Sequence, residues 1–432
     1  MQRGAGQGLR RFSLAGWLLL SAAACAAGRV SDDAACGGIE VCDLEDNDCD
    51  GAIDEQLLAC EFADSDQDAL PDLWEVRGVD LDGDGELELD LAAMGADPLR
   101  RDLFIEVDHM QQDSDDAHSD ALSNAALERV QQAFAAAPVE NPDGSRGINL
   151  HIDNGPESLM DPQSGRRWGE LSEASVLPHA DATDYESHAA LRREYMGPGR
   201  RGVFRYAVAG HGLGSLPIEG CSGILVNANG LAAKDQMIVT FSVQSGPLVE
   251  LGGYTPGARD EGQQASLFMH ELGHTLGLAH GGSDDINRKP NYLSVMNYSF
   301  TYRGLWRDGR WGVLDYSRFD STLDETALSE TDGLEALEQA GAEGYGTVFY
   351  CGDTDLSCMP EATGLSDARV EITDLGAPVD WNCDGRIAPG PVAAEVNLGV
   401  AAERFESGDD WRRLDFSAAA RIGAWAGEFA DE

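Results

Sequence analysis

Short apolar runs alternate with polar segments from about residue 99 onward, and their pattern predicts an alternation of strands and helices. The runs "DLFIEVD", "GINLHID", "GVFRYAVAG" and "GILVNA" are short, rich in apolar residues and bounded by turn-forming or charged residues, which is typical of buried strands. Between the first two, apolar side chains recur at helical spacing over residues 119–137, and Pro138 follows. This spacing predicts a helix that ends before the proline.

A further apolar segment, "MHELGHTLGLAHGG" at residues 269–282, combines helical spacing with three histidines and a glutamate. Strand, helix, strand and further strands lead into it. This order predicts an α/β subdomain, in which a sheet packs over the histidine-bearing helix.

Residues 28–98 have a different pattern, because they are acidic and contain few apolar runs. Three segments, "DNDCDGAIDE", "DSDQDALPDLWE" and "DLDGDGELELD", carry carboxylates at alternate positions. A tightly turning loop directs such carboxylates toward one point, and Ca²⁺ prefers six to eight oxygen ligands. The candidate calcium ligands are Asp46, Asp48, Asp50 and Asp54, then Asp64, Asp66, Asp68, Asp72 and Glu75, then Asp80, Asp82 and Asp84. The alternative is a solvated acidic linker.

These segments match the twelve-residue calcium loop unequally. The second follows its ligand spacing through Glu75, but Ala69 stands where a glycine is expected, whereas the third has Gly85 and ends in Leu91 without a bidentate acid. A related pattern begins at Asp380 with Asn382, Asp384 and Gly385, but Ala388 occupies its ninth position. For this last pattern, a cation loop and a loop without metal both remain open.

The charge balance excludes one large class of partners. The chain has 432 residues and 42% hydrophobic residues, enough for a substantial core, but 77 acidic residues against 30 basic ones give a net charge of −47. Such a polyanion repels phosphates, which argues against nucleic-acid binding. The excess acid indicates a solvating surface, cation sites, or both.

The N-terminal residues predict export. Arg3, Arg10 and Arg11 precede the apolar run "FSLAGWLLLSAAA" and then Cys25, a pattern of a signal peptide over residues 1–27. "SAAAC" is similar to a bacterial lipoprotein signal, so lipid anchoring at Cys25 and simple secretion are both expected possibilities. In either case we expect an extracytoplasmic protein, and a lipid anchor at Cys25 is the only membrane contact that the sequence predicts.

The cysteine count agrees with an oxidising compartment. Without Cys25, eight cysteines remain, which allows four disulfides. They are Cys36, Cys42, Cys49, Cys60, Cys221, Cys351, Cys358 and Cys383. Cys42 with Cys49 and Cys351 with Cys358 are close in sequence, but the spacing alone predicts no particular pairing.

The histidine segment has the spacing of an open zinc site. His270 and His274 are four residues apart, so on a helix their rings project from one face and can bind one Zn²⁺. Glu271 follows the first ligand and can reach a water near the metal. Gly277 allows the chain to leave the helix, which returns His280 as a third ligand. Three neutral histidines leave a fourth position for water, as in catalytic sites.

Two downstream residues extend this pattern. Met296 lies sixteen residues after His280, and Tyr298 lies two residues further. A helix with two histidines and a buried methionine can also occur by chance, without a metal site. Chance becomes a poor explanation only because all these residues occur together at this spacing. The remaining histidines lack ligand spacing and are predicted to be core or surface residues: His109, His118, His151, His179, His188 and His211.

"HELGHTLGLAH" together with "SVMNY" resembles the metzincin clan of zinc endopeptidases. The text "HGGSDDINRKPNYLSVMNYSF" and "LDYSRF" is similar to a bacterial secreted branch of that clan. The resemblance implies an α/β (α+β) fold with a mixed sheet over the active-site helix in the upper half, a smaller lower subdomain, and a substrate cleft between them. It also implies zinc ligation by the three histidines and general-base catalysis by Glu271. In this resemblance Met296 is the Met-turn residue, and Tyr298 is a zinc ligand or oxyanion stabiliser.

The acidic segments resemble other families. "EVCDLEDNDCDGAIDE" is similar to a short cysteine-containing metal-binding repeat of bacterial surface proteins, and the two loops after it resemble thrombospondin type 3 repeats. This resemblance implies extracellular spacers stiffened by calcium. We therefore expect a signal peptide at 1–27, a calcium-repeat module at 28–98, a zinc peptidase domain at 99–345, and the rest of the lower subdomain with a candidate cation loop at 346–432.

The expected function is that of a secreted or surface-anchored zinc endopeptidase acting on proteins or peptides, with Zn²⁺ and Ca²⁺ as cofactors. The alternative is a calcium-binding surface adhesion or scaffold protein on an inactive metzincin frame. Retention of Glu271 beside all three histidines favours the enzyme. Hydrolysis of a non-peptide amide is compatible with the same site residues.

Overall fold

The computed structural model describes residues 62–111, 121–178, 185–210, 261–351, 369–399 and 403–417, together with residue 53 and the short strands at 216–217, 225–226, 230–233 and 236–240. The chain divides into two compact units, residues 1–56 and residues 57–432. The signal segment 1–27, Cys25, and the first acidic loop with Asp46, Asp48, Asp50 and Asp54 lie outside the described residues.

The second unit contains both helices and strands. The helices are α1 (Asp72–Arg77), α2 (Leu91–Met94), α3 (Asn124–Ala135), α4 (Tyr185–Tyr195), α5 (Glu261–Thr275) and α6 (Glu335–Leu337). The strands are β1 (Asp102–Met110), β2 (Asn149–Asp153), β3 (Leu159–Asp161), β4 (Arg166–Arg167), β5 (Val176–Leu177), β6 (Arg205–Gly210), β7 (Leu216–Pro217), β8 (Leu225–Val226), β9 (Gly230–Ala233), β10 (Gln236–Thr240), β11 (Leu305–Arg307), β12 (Arg310–Val313), β13 (Arg318–Asp324), β14 (Tyr345–Tyr350), β15 (Arg369–Ile372) and β16 (Arg404–Asp409).

The largest sheet has the strand order β2-β1-β6-β10-β9, and β5 pairs with the end of β1. Strands β2, β1, β6 and β10 run parallel, and β9 is antiparallel to β10. The strands predicted at 102–108, 147–153 and 202–210, and the helix between the first two, are confirmed as β1, β2, β6 and α3. Helix α3 makes the crossover between the parallel strands β1 and β2, as such a connection requires.

The strand predicted at "GILVNA" lies mostly outside the described residues. Its described part, Leu225–Val226, is a two-residue strand that pairs with Leu216–Pro217. The place beside β6 belongs to Gln236–Thr240. That segment has three consecutive apolar residues and a polar residue at each end. Its sequence pattern is therefore too weak to predict a strand of the large sheet.

Alternate side chains of β1 point to two different cores. Leu103, Ile105 and Val107 pack with α3 and α5 on one face of the sheet. Phe104 and Met110 pack on the other face with apolar residues of the segment 70–94. The acidic segment that precedes the sheet is therefore packed against it through its own apolar side chains. Burial of both faces agrees with the continuous apolar pattern of a central parallel strand.

A second core lies around the smaller sheets. Strands β12, β11, β14 and β15 form an antiparallel sheet, and β13 pairs with β16. Their core includes Phe300, Phe349 and Trp381. Cys351 and Cys383 form a disulfide with Cα atoms 6.0 Å apart, so Cys351 is bonded to a cysteine 32 residues away and not to its sequence neighbour Cys358. Cys358 lies outside the described residues.

The unit is a mixed α/β structure with open sheets, in agreement with the predicted class in its general form. Within the part of the chain that the structure describes, none of the helices combines the length and hydropathy required to span a membrane.

Candidate functional site

Helix α5 carries the histidine segment and ends in a defined cap. The backbone N–H of Leu278 donates to the carbonyl of Gly273, and the N–H of Gly277 donates to the carbonyl of His274. These two bonds form a Schellman motif, with Gly277 at φ +84° in the left-handed region that glycine adopts without strain. The chain therefore turns back at Gly277, as its spacing predicts, and brings His280 toward the helix.

Backbone carbonyls orient the two helical histidines. The Nδ1 of His270 donates to the carbonyl of Val295 and the Nδ1 of His274 donates to the carbonyl of Leu278, both at 2.8 Å. Because Nδ1 carries the proton in each ring, each Nε2 presents a lone pair. The two Nε2 atoms lie 3.2 Å apart. Two nitrogens at 2.0–2.1 Å from one tetrahedral zinc ion are separated by about 3.3 Å, so this pair fits the metal.

His280 completes the cluster. Its ring centroid lies 4.7 Å from that of His274 and 5.5 Å from that of His270. The three histidines offer ring nitrogens that all lie within 4.8 Å of one another. The Nδ1 of His280 lies 4.0 Å from Oδ1 of the exposed Asp285, so a carboxylate lies near one nitrogen of this third ring.

The site is buried enough to change the ionisation of its groups. Burial lowers the pKa of His270 to about 3 and that of His280 to about 4, and it also lowers the pKa of His274. Neutral imidazole is the form that binds a metal. Glu271 is 5% exposed, and burial raises the pKa of its carboxyl to about 8. The cluster thus joins three neutral ring nitrogens to a neighbouring carboxyl group in an apolar setting.

Met296 forms the floor of the site. The side chain is fully buried, and a Cβ placed on Gly273 would lie only 2.3 Å from its sulfur. Gly273 is the residue directly before His274, so the sulfur reaches the helix backbone between the two helical ligands. Val295, whose carbonyl orients His270, immediately precedes Met296. The turn thus supports both the helix and the orientation of its first histidine.

Tyr298 lies at the open side of the cluster. The ring centroids of Tyr298 and His280 are 4.4 Å apart, and 44% of the tyrosine is exposed. Partial burial raises the pKa of its hydroxyl, and the nearby charge of Glu271 raises it further, so the group remains a hydrogen-bond donor at neutral pH. Among Tyr298, Met296, Glu271 and the three histidines of the cluster, the tyrosine is the one exposed side chain.

The second acidic loop brings together part of its predicted ligand set. Asp64, Asp66 and Asp68 offer oxygens within 4.8 Å of one another. Asp72 has a different role, because its two oxygens accept hydrogen bonds from the backbone N–H and the hydroxyl of Ser65. Glu75 belongs to a second group, which it forms with Asp68 and Asp102.

The other two acidic loops differ from it. Asp80, Asp82 and Asp84 converge as predicted, but all three are exposed. In the loop that begins at Asp380, the aspartate accepts hydrogen bonds from the backbone of Asp384 and Gly385. The carboxylate of Glu330, which is distant in sequence, binds the backbone N–H of Ala388 at 2.7 Å and stabilises that loop.

The spacing of candidate ligands in the sequence does not predict three groups that shape these sites. The carbonyls of Val295 and Leu278 orient two histidines, and carbonyls are present at every residue. Asp102 begins strand β1, where a strand pattern gives no reason to assign a ligand. Its role follows only from its position beside the acidic loop.

Comparison with known proteins adds no assignment. No protein-family model matches the chain, and no curated protein and no solved structure shows significant similarity to it.

Proposed function

We propose that this protein is a zinc-dependent endopeptidase. The observation that carries the proposal is the convergence of three neutral histidines, whose ring nitrogens lie within 4.8 Å of one another, next to the carboxyl group of Glu271. Three histidine ligands leave one coordination position open, which is the arrangement of catalytic zinc sites. Structural zinc sites usually fill all four positions with protein ligands.

Zinc, when bound by His270, His274 and His280, supplies Lewis acidity that lowers the pKa of a water toward about 7 and polarises a peptide carbonyl. The carboxylate of Glu271 accepts the proton of the attacking water and then delivers it to the departing amine nitrogen. The hydroxyl of Tyr298 donates a hydrogen bond to the negatively charged carbonyl oxygen that develops during the attack. Proteins and peptides are the proposed substrates.

A metzincin architecture is part of this proposal. Its support is the parallel sheet packed over the histidine helix, the buried methionine below that helix, and a separate core around the smaller sheets. Together with the sequence "HELGHTLGLAH" and the following "SVMNY", these features agree with an upper and a lower half on either side of a cleft.

Extracytoplasmic location also belongs to the proposal. The disulfide between Cys351 and Cys383 supports it, because such bonds persist mainly in oxidising compartments. Calcium binding by the acidic loops would suit an adhesion or scaffold protein equally well. That alternative does not explain, however, why the rings of His270 and His274 are both oriented by hydrogen bonds and lie beside Glu271.

The test compares Glu271→Gln with Glu261→Gln. Both residues lie on α5, but Glu261 is exposed in its first turn. We expect both variants to bind one zinc ion per chain, measured by atomic absorption. Hydrolysis of an unfolded protein should fall by a factor of about 10² to 10⁴ in Glu271→Gln alone, because a general base contributes about that factor.

Peptide-library cleavage by the wild type and the two variants would define the substrate preference at the same time. Full activity of a zinc-loaded Glu271→Gln variant would contradict the mechanism. Zinc binding without hydrolysis of any peptide or protein by the wild type would favour the scaffold alternative.

A further inference from the structure

Four carboxylates are buried where the acidic loop meets the central sheet. Asp66, Asp68 and Glu75 come from the loop and α1, and Asp102 is the first residue of β1. Each of the four is at most 3% exposed. Oxygens of Asp68, Glu75 and Asp102 lie within 4.8 Å of one another, and Asp68 also belongs to the triplet with Asp64 and Asp66. The two triplets therefore form one continuous acidic site, which we call the loop–strand site.

Glu75 shows that this site is more than a group of nearby acids. Neither oxygen of its carboxylate has a hydrogen-bond partner among the described residues, and one oxygen of Asp66 also has none. An unpaired buried carboxylate is strongly unfavourable, so such oxygens normally bind a hydrogen-bond donor or a metal. Glu75 is also at the twelfth position of its loop, where calcium loops place a bidentate ligand.

Hydrogen bonds to the side chains of Asp64 and Asp72 already fix the conformation of the loop. Asp64 accepts hydrogen bonds from the backbone N–H groups of Gln67, Asp68 and Ala69. Asp72, at the ninth position, is held by Ser65. Asp102 takes the place in the ligand group that the loop spacing predicts for Asp72.

The protein compensates little of this negative charge. The ring of His151 lies between two acceptors, with Nε2 at 2.5 Å from Oδ1 of Asp102 and Nδ1 at 3.1 Å from the carbonyl of Met160. One imidazole ring offers at most one positive charge against four carboxylates. Burial and mutual repulsion accordingly raise the pKa of Glu75 to about 11 and that of Asp66 to about 8.

We propose that Asp66, Asp68, Glu75 and Asp102, together with Asp64, bind a Ca²⁺ ion that fastens the loop 64–75 to strand β1. The ligand set consists of oxygens alone, which suits a hard cation, and the free pair of oxygens on Glu75 suits the high coordination number of Ca²⁺ better than that of Mg²⁺. The proposal is independent of zinc binding and catalysis at the histidines. It adds Asp102, a residue of the central sheet, to a site that would otherwise belong to the loop alone.

The experiment uses the full chain, dialysed against a zinc-containing buffer that has been depleted of calcium. Calcium chloride is then added during isothermal titration calorimetry, and the melting temperature is measured with and without calcium. The variants are Glu75→Gln and Asp102→Asn, and Asp82→Asn in the exposed triplet is the matched control. Magnesium chloride is the competing probe.

We expect one calcium-binding step to weaken by about ten-fold or more in Glu75→Gln and in Asp102→Asn, and to remain in Asp82→Asn. Without calcium, Glu75→Gln should melt at the same temperature as the wild type or higher, because it removes a buried carboxyl group that has no hydrogen-bond partner among the described residues and whose ionised form its neighbours repel. With calcium, the wild type should become the more stable of the two. Magnesium should not reproduce the stabilisation.

Three results would overturn the proposal. Equal destabilisation of Glu75→Gln with and without calcium would show a purely structural role. Unchanged calcium affinity in Asp102→Asn would remove the strand from the site, and loss of the binding step in Asp82→Asn alone would assign it to the exposed triplet. Zinc content and hydrolysis, measured in the same samples, distinguish these results from a failure of the proposed function.

Discussion

The histidine cluster and the loop–strand site are both compact sets of ligand groups, but the protein holds them in different ways. His270 and His274 are neutral, and carbonyls of Val295 and Leu278 fix their rings. The carboxylates of the loop–strand site are buried together, and both oxygens of Glu75 lack a partner among the described residues. One cluster therefore carries no charge before a metal binds, and the other contains repulsion between carboxylates that only a cation or protons can remove.

This difference follows from the charge of the ligands. Neutral imidazoles can be assembled at short distance at a lower electrostatic cost than charged groups, and hydrogen bonds on the opposite ring nitrogen orient them. Carboxylates at similar distances repel one another, and their burial raises that cost. A preformed histidine site suits repeated binding of substrate, whereas a carboxylate site of this kind suits an ion that remains part of the structure.

The largest effect is expected at Glu106, further along β1, where the positive charge of a buried arginine neutralises the carboxylate. Arg200 is 1% exposed and donates to Glu106 at 2.6 Å and to Asp153 at 2.7 Å. We expect Arg200→Met to lower the free energy of unfolding by about 3–5 kcal/mol, because it leaves buried carboxylates without a counter-charge. Urea denaturation in saturating calcium measures the effect.

Arg146→Met is the matched control for this experiment, because Arg146 forms an exposed ion pair with Glu140. It should change stability little. A small effect of Arg200→Met would mean that buried carboxylates in this unit tolerate the loss of a counter-charge, and the argument for a cation at the loop–strand site would weaken.

A smaller effect is expected from the packing of the histidine cluster. Gly273→Ala would place a Cβ 2.3 Å from the sulfur of Met296, so the methionine or the helix must move. We expect a loss of about 1–3 kcal/mol in the free energy of unfolding, as for other overpacked cores, and weaker zinc binding. Gly390→Ala, which meets no atom within 4 Å, should have no such effect. Unchanged stability in Gly273→Ala would show that the floor of the site is adaptable.

The smallest effect concerns a buried carboxylate that does have donors. Asp410 accepts hydrogen bonds from the hydroxyl of Tyr292 at 2.7 Å and from the backbone of Ser317 at 3.0 Å. Burial nevertheless raises the pKa of Asp410 from 3.8 to about 6. The folded state then holds a proton that the unfolded state has released, so this contribution to stability is complete below about pH 4 and is lost as the pH rises through 6.

Asp410→Asn cannot titrate. Between about pH 5 and pH 6, the wild type should therefore lose about 1 kcal/mol of stability relative to this variant. Denaturation curves of both proteins at several pH values in that interval measure the difference. A difference that stays constant with pH would show that hydrogen bonds alone are sufficient to keep a buried carboxylate ionised here.

Much of the fold and part of the histidine cluster could be predicted because their signals are local. The four-residue spacing of His270 and His274 places both on one helix face, and Gly277 marks the end of that helix. The strands β1, β2 and β6 follow from short apolar runs. Strand β10 was missed, because its few apolar residues acquire their role from the neighbouring strand β6.

Local spacing also led to one incomplete ligand set. Asp72 stands where a calcium loop has a ligand, but Ser65 is close enough to bind both of its oxygens. Asp102 takes part in the acidic group although it lies 27 residues beyond Glu75 in the sequence. Competition between nearby hydrogen-bond partners cannot be read from ligand spacing.

The sequence alone thus specifies which ligand types are present and how the helix presents two of its histidines, because these depend on contacts within a few residues. The tertiary structure decides which carbonyl orients His270, which side chain supports the helix at Gly273, and which strand approaches the acidic loop. These contacts join segments that are distant in the chain. They depend on the packing of whole elements against one another, for which no short sequence pattern exists.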